Sequence, residues 1–204
     1  MNPEKRHSPA CERNREPIFT VLQTVFAQRQ QVLEIGSGTG QHAVYFGPDL
    51  PHLRWHTSDL AASHPSILAW QQEFPAPNVL PPVLLDCSEA EWPLALAGQG
   101  IDAIYSANTC HIMPWPCVQN LLRGASRLLP AGGLLAIYGP FNIDGQFTSA
   151  SNAEFDAMLQ ARGVGSGLRD KGDMLACAGE AGLTFVQDYE MPANNRLLLW
   201  RKAG

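Results

Sequence analysis

Five short apolar runs set the plan of this chain, each closing on a polar or glycine-bearing turn and each followed by residues at helical spacing. Val32-Leu33-Glu34-Ile35 is a run of the kind buried on both faces of a parallel sheet. Leu53 to Ser58, Val83 to Leu85, Asp102 to Ala107 and Leu134 to Tyr138 repeat it. Helices are expected between them. Gln41 to Phe46 stops near Gly47-Pro48, Pro65 to Phe74 stops at Pro75-Ala76-Pro77-Asn78, and Val118 to Leu129 stops at Pro130-Ala131-Gly132-Gly133. Ahead of the first strand, Met1 to Glu16 is polar and irregular. Pro17 then opens a helical stripe of Ile18, Val21, Leu22, Val25 and Phe26.

Beyond Tyr138 the pattern loosens, and residues 142–170 read as a substrate-side insertion in the alternating plan. Ser151 with Glu154 forms a capping box for a helix through about Ala161, and Asp170 with Asp173 can cap a helix ending before Gly182. Two strands remain, Thr184 to Tyr189 and Arg196 to Trp200. The joint between them is too short for a helical crossover, so they are antiparallel neighbours. The whole predicts an α/β fold: a Rossmann-like, doubly wound, seven-stranded sheet, mostly parallel with an antiparallel last strand. At 204 residues the expectation is a single domain, 1–204, with residues 1–16 as an N-terminal flap over a ligand site.

Composition narrows the function. Hydrophobic residues at 45% and charged residues at 16% are globular values. A net charge of −5 without any Lys/Arg run argues against an extended nucleic-acid face. No apolar stretch reaches the roughly 18 residues of a membrane span, and the expected location is the cytoplasm. The five cysteines make no C-x-x-C and no Cys/His pairing at zinc spacing, so reduced thiols and no metal site are expected.

The chemistry gathers at Glu34 to Gly40. Glycines at 36, 38 and 40 free the backbone for a tight turn and for N–H groups to approach a ligand. The position where a dinucleotide fingerprint wants its third glycine is Gln41, which counts against NAD. Glu34 points to a ligand carrying positive charge. Asp59 follows Gly40 by 59 − 40 = 19 residues, the offset at which a second-strand acid reaches ribose hydroxyls, although capping a helix is its other use. Asp86, closing the third strand, can accept from an exocyclic amine or cap the next turn. In the flap, Glu12, Arg13 or Asn14 can touch the ligand. The loop after the fourth strand, Asn108-Thr109-Cys110-His111, lies where ligands bind in open parallel sheets.

With the terminal antiparallel pair, these features resemble a class I S-adenosylmethionine-dependent methyltransferase over nearly the whole chain. More narrowly, Pro9-Ala10-Cys11-Glu12-Arg13-Asn14, Ser106-Ala107-Asn108-Thr109-Cys110-His111-Ile112, Ser151-Asn152-Ala153-Glu154-Phe155-Asp156, Gly167-Leu168-Arg169-Asp170 and Met191-Pro192-Ala193-Asn194-Asn195 resemble the DUF938 (UPF0585) family. The resemblance implies S-adenosyl-L-methionine as cofactor and S-adenosyl-L-homocysteine as product. It implies Glu34 toward the methionine ammonium and Gly36, Ser37, Gly38 and Gly40 along the methionine and ribose. Asp59 would take the ribose hydroxyls, Leu60 would press on the adenine, and Asp86 and Cys87 would meet its edge. Arg13, Asn14 and Asn108 complete the cofactor set, with Gln41 or His42 as further contacts.

Methyl transfer from a sulfonium requires a base only if the nucleophile arrives protonated. His111, with an ordinary imidazole pKa of about 6.5, is the candidate base, and Asn108 its neighbour at the reacting centre. Asn152, Arg169, Asn194 and Asn195 are expected to shape the pocket of a small-molecule acceptor, Arg169 suiting an anionic one. The amine-methylating signature Asn-Pro-Pro-Tyr is absent after the fourth strand. Two alternatives stand beside the enzyme: a non-catalytic cofactor-binding protein acting through a partner, and a nucleotide-binding oxidoreductase, disfavoured by Gln41 and the antiparallel finish.

Overall fold

In a computed structural model describing residues 5–204, the chain divides into two compact units, one running through Asp86 and including Trp92–Ser106, the other Cys87–Glu91 with Ala107–Gly204. Residues 1–4, the start of the expected flap, lie outside the described residues.

The first unit contains α1 (Pro9–Val25), β1 (Gln31–Ile35), α2 (Gln41–Asp49), β2 (Arg54–Asp59), α3 (His64–Glu73), β3 (Val79–Leu84) and all but the last residue of β4 (Ala103–Ala107). Its strands lie in the order β3-β2-β1-β4, all parallel, with Glu34 paired to Thr57 on one side and Tyr105 on the other. Trp55, Phe46 and Tyr105 are fully buried and pack ring against ring at 5.7 to 5.9 Å. β2 is polar in sequence yet buried from Trp55 to Ser58, because the polar side chains of that stretch have partners. His56 meets Gln31 Oε1 at 2.8 Å, Thr57 donates to the Leu80 carbonyl at 2.9 Å and Ser58 to the Glu34 carbonyl at 2.7 Å.

Three boundaries in this unit differ from expectation, the first being α2, which runs on through Gly47-Pro48 to Asp49. α1 opens eight residues before Pro17, at Pro9, behind Ser8, whose hydroxyl accepts from the Cys11 N–H at 3.4 Å. Both prolines fit a first turn, and Ser8-Pro9 carries the cap. Pro17 sits inside the helix and denies a donor to the carbonyl of exposed Arg13, which solvent can serve. β3 begins at Val79 and runs through Pro81-Pro82, tolerated because β3 is an edge strand.

The second unit contains α4 (Trp115–Leu128), β5 (Leu134–Asn142), α5 (Ala150–Gln160), β6 (Arg169–Asp170), α6 (Lys171–Glu180), β7 (Leu183–Met191) and β8 (Asn195–Lys202). β8 lies antiparallel between β5 and β7, and the two-residue β6 pairs parallel to β5. Among the described residues the strands therefore number eight rather than seven, β6 being too short to show a period. The antiparallel finish is present as expected. α5 is capped by Ser149, which accepts from the Asn152 N–H at 3.1 Å, and not by Ser151; Asp170 caps α6 through the Gly172 N–H at 2.7 Å.

Candidate cofactor and acceptor sites

The turn after β1 is built by its neighbours. Gly36 and Ser37 both donate to the Ser58 carbonyl, at 3.0 and 2.9 Å, which bends the chain where β1 ends. Gly36, Gly38 and Gly40 take φ of 72°, 60° and 95°. At Gly40 a Cβ would stand 2.8 Å from Ile67 Cα, so this glycine lets α3 close on the turn. That packing duty explains the alternate-glycine spacing without a third glycine at 41.

Asp59 completes the turn. Its Oδ2 accepts from the Gly38 N–H and its Oδ1 from the Leu60 N–H, both at 2.7 Å, while each oxygen keeps a further lone pair. Leu60 beside it is 48% exposed, an apolar side chain held out at the end of β2. Glu34 is 2% exposed, and its Oε2 accepts from Ser37 Oγ at 2.9 Å and Trp55 Nε1 at 3.0 Å. Among the described residues no donor reaches Oε1. Burial pushes this carboxyl from 4.5 up to about 7, against the downward pull of the two hydrogen bonds. Asp86 follows β3 half-buried.

The N-terminal residues reach the same turn by contacts no local pattern announces. Arg6 Nη2 donates to the Gly38 carbonyl at 3.2 Å, its N–H to Ser66 Oγ at 3.0 Å, and its carbonyl accepts from Trp70 Nε1 at 2.8 Å. The Ser8 N–H donates to Gln41 Oε1 at 2.6 Å, and Gln41 Nε2 to Glu12 at 2.8 Å. Lys5 lies over the Trp70 ring at 3.7 Å and pairs with Glu73 at 2.7 Å. Arg6, Ser66 and Trp70 thus join the candidate site, and the sequence reading missed them. Asn14 belongs elsewhere: buried, it meets His42 Nε2 at 2.8 Å, and His42 Nδ1 meets Tyr105 OH at 3.3 Å. Burial pushes His42 down to about 4, so this neutral chain of hydrogen bonds fixes α1 against the core. Arg13 is exposed on α1.

In the second unit, Asn108 holds φ of 57°, a left-handed turn directly after β4, and its N–H donates to the Tyr138 carbonyl at 2.9 Å. A Cβ built on Gly139 would meet His111 Nδ1 at 3.7 Å and Asn108 Oδ1 at 3.9 Å, so both side chains line one bare stretch of β5. His111 is 6% exposed, with Phe155 edge-on at 5.2 Å. Burial, then the charges of Arg169 and Arg162, push it down to about 4, far from the ordinary value expected of a base. Arg169 gives Nε to the Cys110 carbonyl at 2.9 Å and Nη2 to the carbonyls of Met113 and, at 2.9 Å, Gly165. It braces the loop that carries His111. Asn152 is buried in the first turn of α5, with Nδ2 on Thr148 Oγ1 at 2.9 Å. Cys87 offers its carbonyl to Asn120 Nδ2 at 3.1 Å. Asn194 and Asn195 make the β7–β8 turn: Asn194 takes φ of 56°, and Asn195 Nδ2 donates to the Pro192 carbonyl at 3.0 Å. The structure gives Arg169, Asn194 and Asn195 backbone duties, and brings Asn108 and His111 together beside Gly139.

Among known proteins, the family described as "Protein of unknown function (DUF938)" matches residues 5–202. The chain belongs to the DUF938 family. This DUF938 chain also shares its fold with solved methyltransferases. An O-methyltransferase family protein from Burkholderia thailandensis superposes with a TM-score of 0.78 at 17% identity, covering 93% of this chain and 56% of its own. An O-methyltransferase family 2 protein from Planctomyces limnophilus, in complex with apigenin, gives 0.78 at 16% identity, covering 95% and 58%. Human N-acetylserotonin methyltransferase, in complex with SAM, gives 0.70 at 15%, covering 96% and 58%. The DUF938 chain thus spans a little over half the length of the structures it matches, and the likeness is one of fold, a Rossmann-like methyltransferase sheet. Among the described residues no cluster of His, Cys, Asp and Glu could hold a metal, and no helix is long and apolar enough to cross a membrane.

Proposed function

We propose that this chain is an S-adenosyl-L-methionine-dependent methyltransferase acting on a small or medium-sized acceptor. The observation that carries the reading is Glu34, a buried carboxylate with one oxygen bonded to Ser37 and Trp55 and the other oxygen unspent, at the mouth of the glycine turn. A carboxyl that burial makes reluctant to ionise is matched by a ligand ammonium, which restores its charge. The neighbouring groups fit the rest of the cofactor. Asp59 has lone pairs left for two ribose hydroxyls, Leu60 offers an apolar face to a flat base, and Asp86 with Cys87 is assigned to its edge. Arg6 and Ser8, bound to Gly38 and Gln41, would hold the turn closed from the N-terminal side.

When bound, S-adenosyl-L-methionine supplies an electrophilic methyl on a positive sulfur that departs as a neutral thioether. The chain's own work is therefore binding, orientation and exclusion of water. With a pKa of about 4, His111 is neutral at pH 7 and is a hydrogen-bonding group more than a proton acceptor. Asn108 beside it adds a carboxamide held by its left-handed backbone. The acceptor-side assignment therefore rests on Asn108 and His111 as binding groups, with Arg169 holding their loop in shape.

Calorimetry provides the test. S-adenosyl-L-homocysteine should bind with one-to-one stoichiometry and NAD should not; the opposite pattern would overturn the reading. Methyl-tritiated cofactor incubated with a metabolite extract should then label a small-molecule fraction, and binding without any labelling would favour a non-catalytic role.

A further inference from the structure

The loop that carries His111 is held to an unusual degree by its backbone. Four successive carbonyls each accept a donor from the segment Gly165–Arg169 or its side chains. Arg169 Nε serves Cys110 and the Gly167 N–H serves His111, both at 2.9 Å; Ser166 Oγ serves Ile112 at 3.0 Å, and Arg169 Nη2 serves Met113. Each of these four carbonyls is thereby turned toward a donor of the neighbouring segment. The side chains are in the contrary state. Among the described residues no hydrogen bond reaches either nitrogen of the 94%-buried His111 ring (6% exposed) or the carboxamide of Asn108, and both groups line the bare surface at Gly139.

We propose that Asn108 and His111 form a binding station for a carboxylate, and that the methyl acceptor is a small molecule carrying one. This rests on the methyltransferase reading above. The station sets an imidazole beside a carboxamide, His111 Nδ1 and Asn108 Oδ1 both facing Gly139; with the carboxamide turned over, an imidazole N–H and an amide N–H suit the two oxygens of a monoanion. A phosphate dianion asks for more donors or direct contact with a guanidinium, and Arg169 already gives Nε and Nη2 to carbonyls.

The charge around the ring has the required sign. Arg169 on β6 and Arg162 after α5 both act on His111, and burial with these two charges accounts for its low pKa. Asp156 on α5, the acid of this neighbourhood, has its oxygens committed to the Leu168 N–H and Gln160 Nε2, both at 2.6 Å. A protonated amine at the station would find the Asn108 carboxamide oxygen and a weakly basic ring as acceptors, but would meet two positive charges.

The experiment uses the full chain, saturated with S-adenosyl-L-homocysteine, with isotope-labelled histidine. The His111 ring signal is assigned by its loss in His111→Gln. Benzoate, benzyl alcohol and benzylamine are titrated separately, since they share a ring and differ in charge. Benzoate should move the His111 signal saturably and bind about tenfold more tightly than the alcohol, and the amine should leave the signal in place. Arg162→Gln should weaken benzoate several-fold, and Arg162→Lys should restore it, with cofactor affinity unchanged in both. A His111 signal that benzoate does not move, or that the alcohol or amine moves as readily, overturns the station. Failure of the homocysteine cofactor to bind at the outset would instead overturn the methyltransferase reading.

Discussion

At the glycine turn after β1, the side chains of Glu34, Ser37 and Asp59 are bonded to the loop they support; at the loop after β4, the side chains of Asn108 and His111 have no hydrogen bond among the described residues and it is the backbone that is held. The first arrangement uses acids to fix a backbone shape, leaving part of each carboxylate for a ligand. The second fixes the backbone from a neighbouring segment and leaves whole side chains available. A turn of the first kind suits one ligand whose shape does not vary. A loop of the second kind can be kept rigid while its side chains are matched to a different acceptor.

The largest effect belongs to Asp59. Asp59→Ala removes the acceptor of the Gly38 and Leu60 N–H groups and the proposed ribose partner together. Cofactor affinity should fall about 100-fold, since charge-assisted bonds are worth roughly 1.5–3 kcal/mol each and two backbone donors lose their partner. Calorimetry checks the affinity and thermal unfolding the fold. A loss under threefold with intact folding would remove Asp59 from the site.

Glu34 gives a pH test of the same turn. Its folded value of about 7 lies above the ordinary 4.5, so the neutral carboxyl's contribution is fully present below about pH 4.5 and is lost as pH rises through 7. Ligand-free protein should therefore lose up to roughly 3 kcal/mol across that window through this one group, and Glu34→Gln should not. Cofactor affinity should move the other way. It should rise in the native protein as Glu34 ionises near pH 7 and stay flat in the glutamine variant. Parallel pH profiles for the two proteins would show that Glu34 does not meet a cation.

Gly40→Ala addresses shape without charge. The new methyl would stand 2.8 Å from Ile67 Cα at φ of 95°, so α3 must retreat from the turn. We expect a loss of about 2 kcal/mol or more, read by chemical denaturation, and a matching fall in cofactor affinity. Stability lost with affinity unchanged would separate the packing of α3 from the site.

How legible these two regions were differs for a physical reason. The strands, their order of appearance, the antiparallel finish and the glycine turn are local patterns, and the run Val32 to Gly40 states both its burial and its backbone geometry in consecutive residues. The contacts of Arg6, Ser66 and Trp70 join residues 60 and 64 positions apart along the chain, and no periodicity reports them. Asn14 reads as a ligand contact because a buried asparagine and a binding asparagine have the same sequence signal; the contact the structure gives it is with His42, 28 residues on. Arg169 is the same case. Its charge suited an anionic ligand, while its geometry puts Nε and Nη2 on backbone carbonyls. The cap of α5 at Ser149 in place of Ser151 shows the limit at short range, where several hydroxyl residues compete for one helix start.

The smallest effect tests whether the β7–β8 hairpin of the second unit takes any part. Asn194 stands in the turn between β7 and β8 with φ of 56°, next to Ala193 at 57°, and is exposed. Asparagine enters that left-handed region more easily than alanine, so Asn194→Ala should cost about 1 kcal/mol of stability and Asn194→Gly less. If the residue is only turn chemistry, both variants bind the homocysteine cofactor and benzoate as the native protein does. An alanine variant that keeps its stability but loses benzoate binding would bring the hairpin back into the acceptor site, because turn strain acts on folding whereas a lost amide contact acts on the ligand.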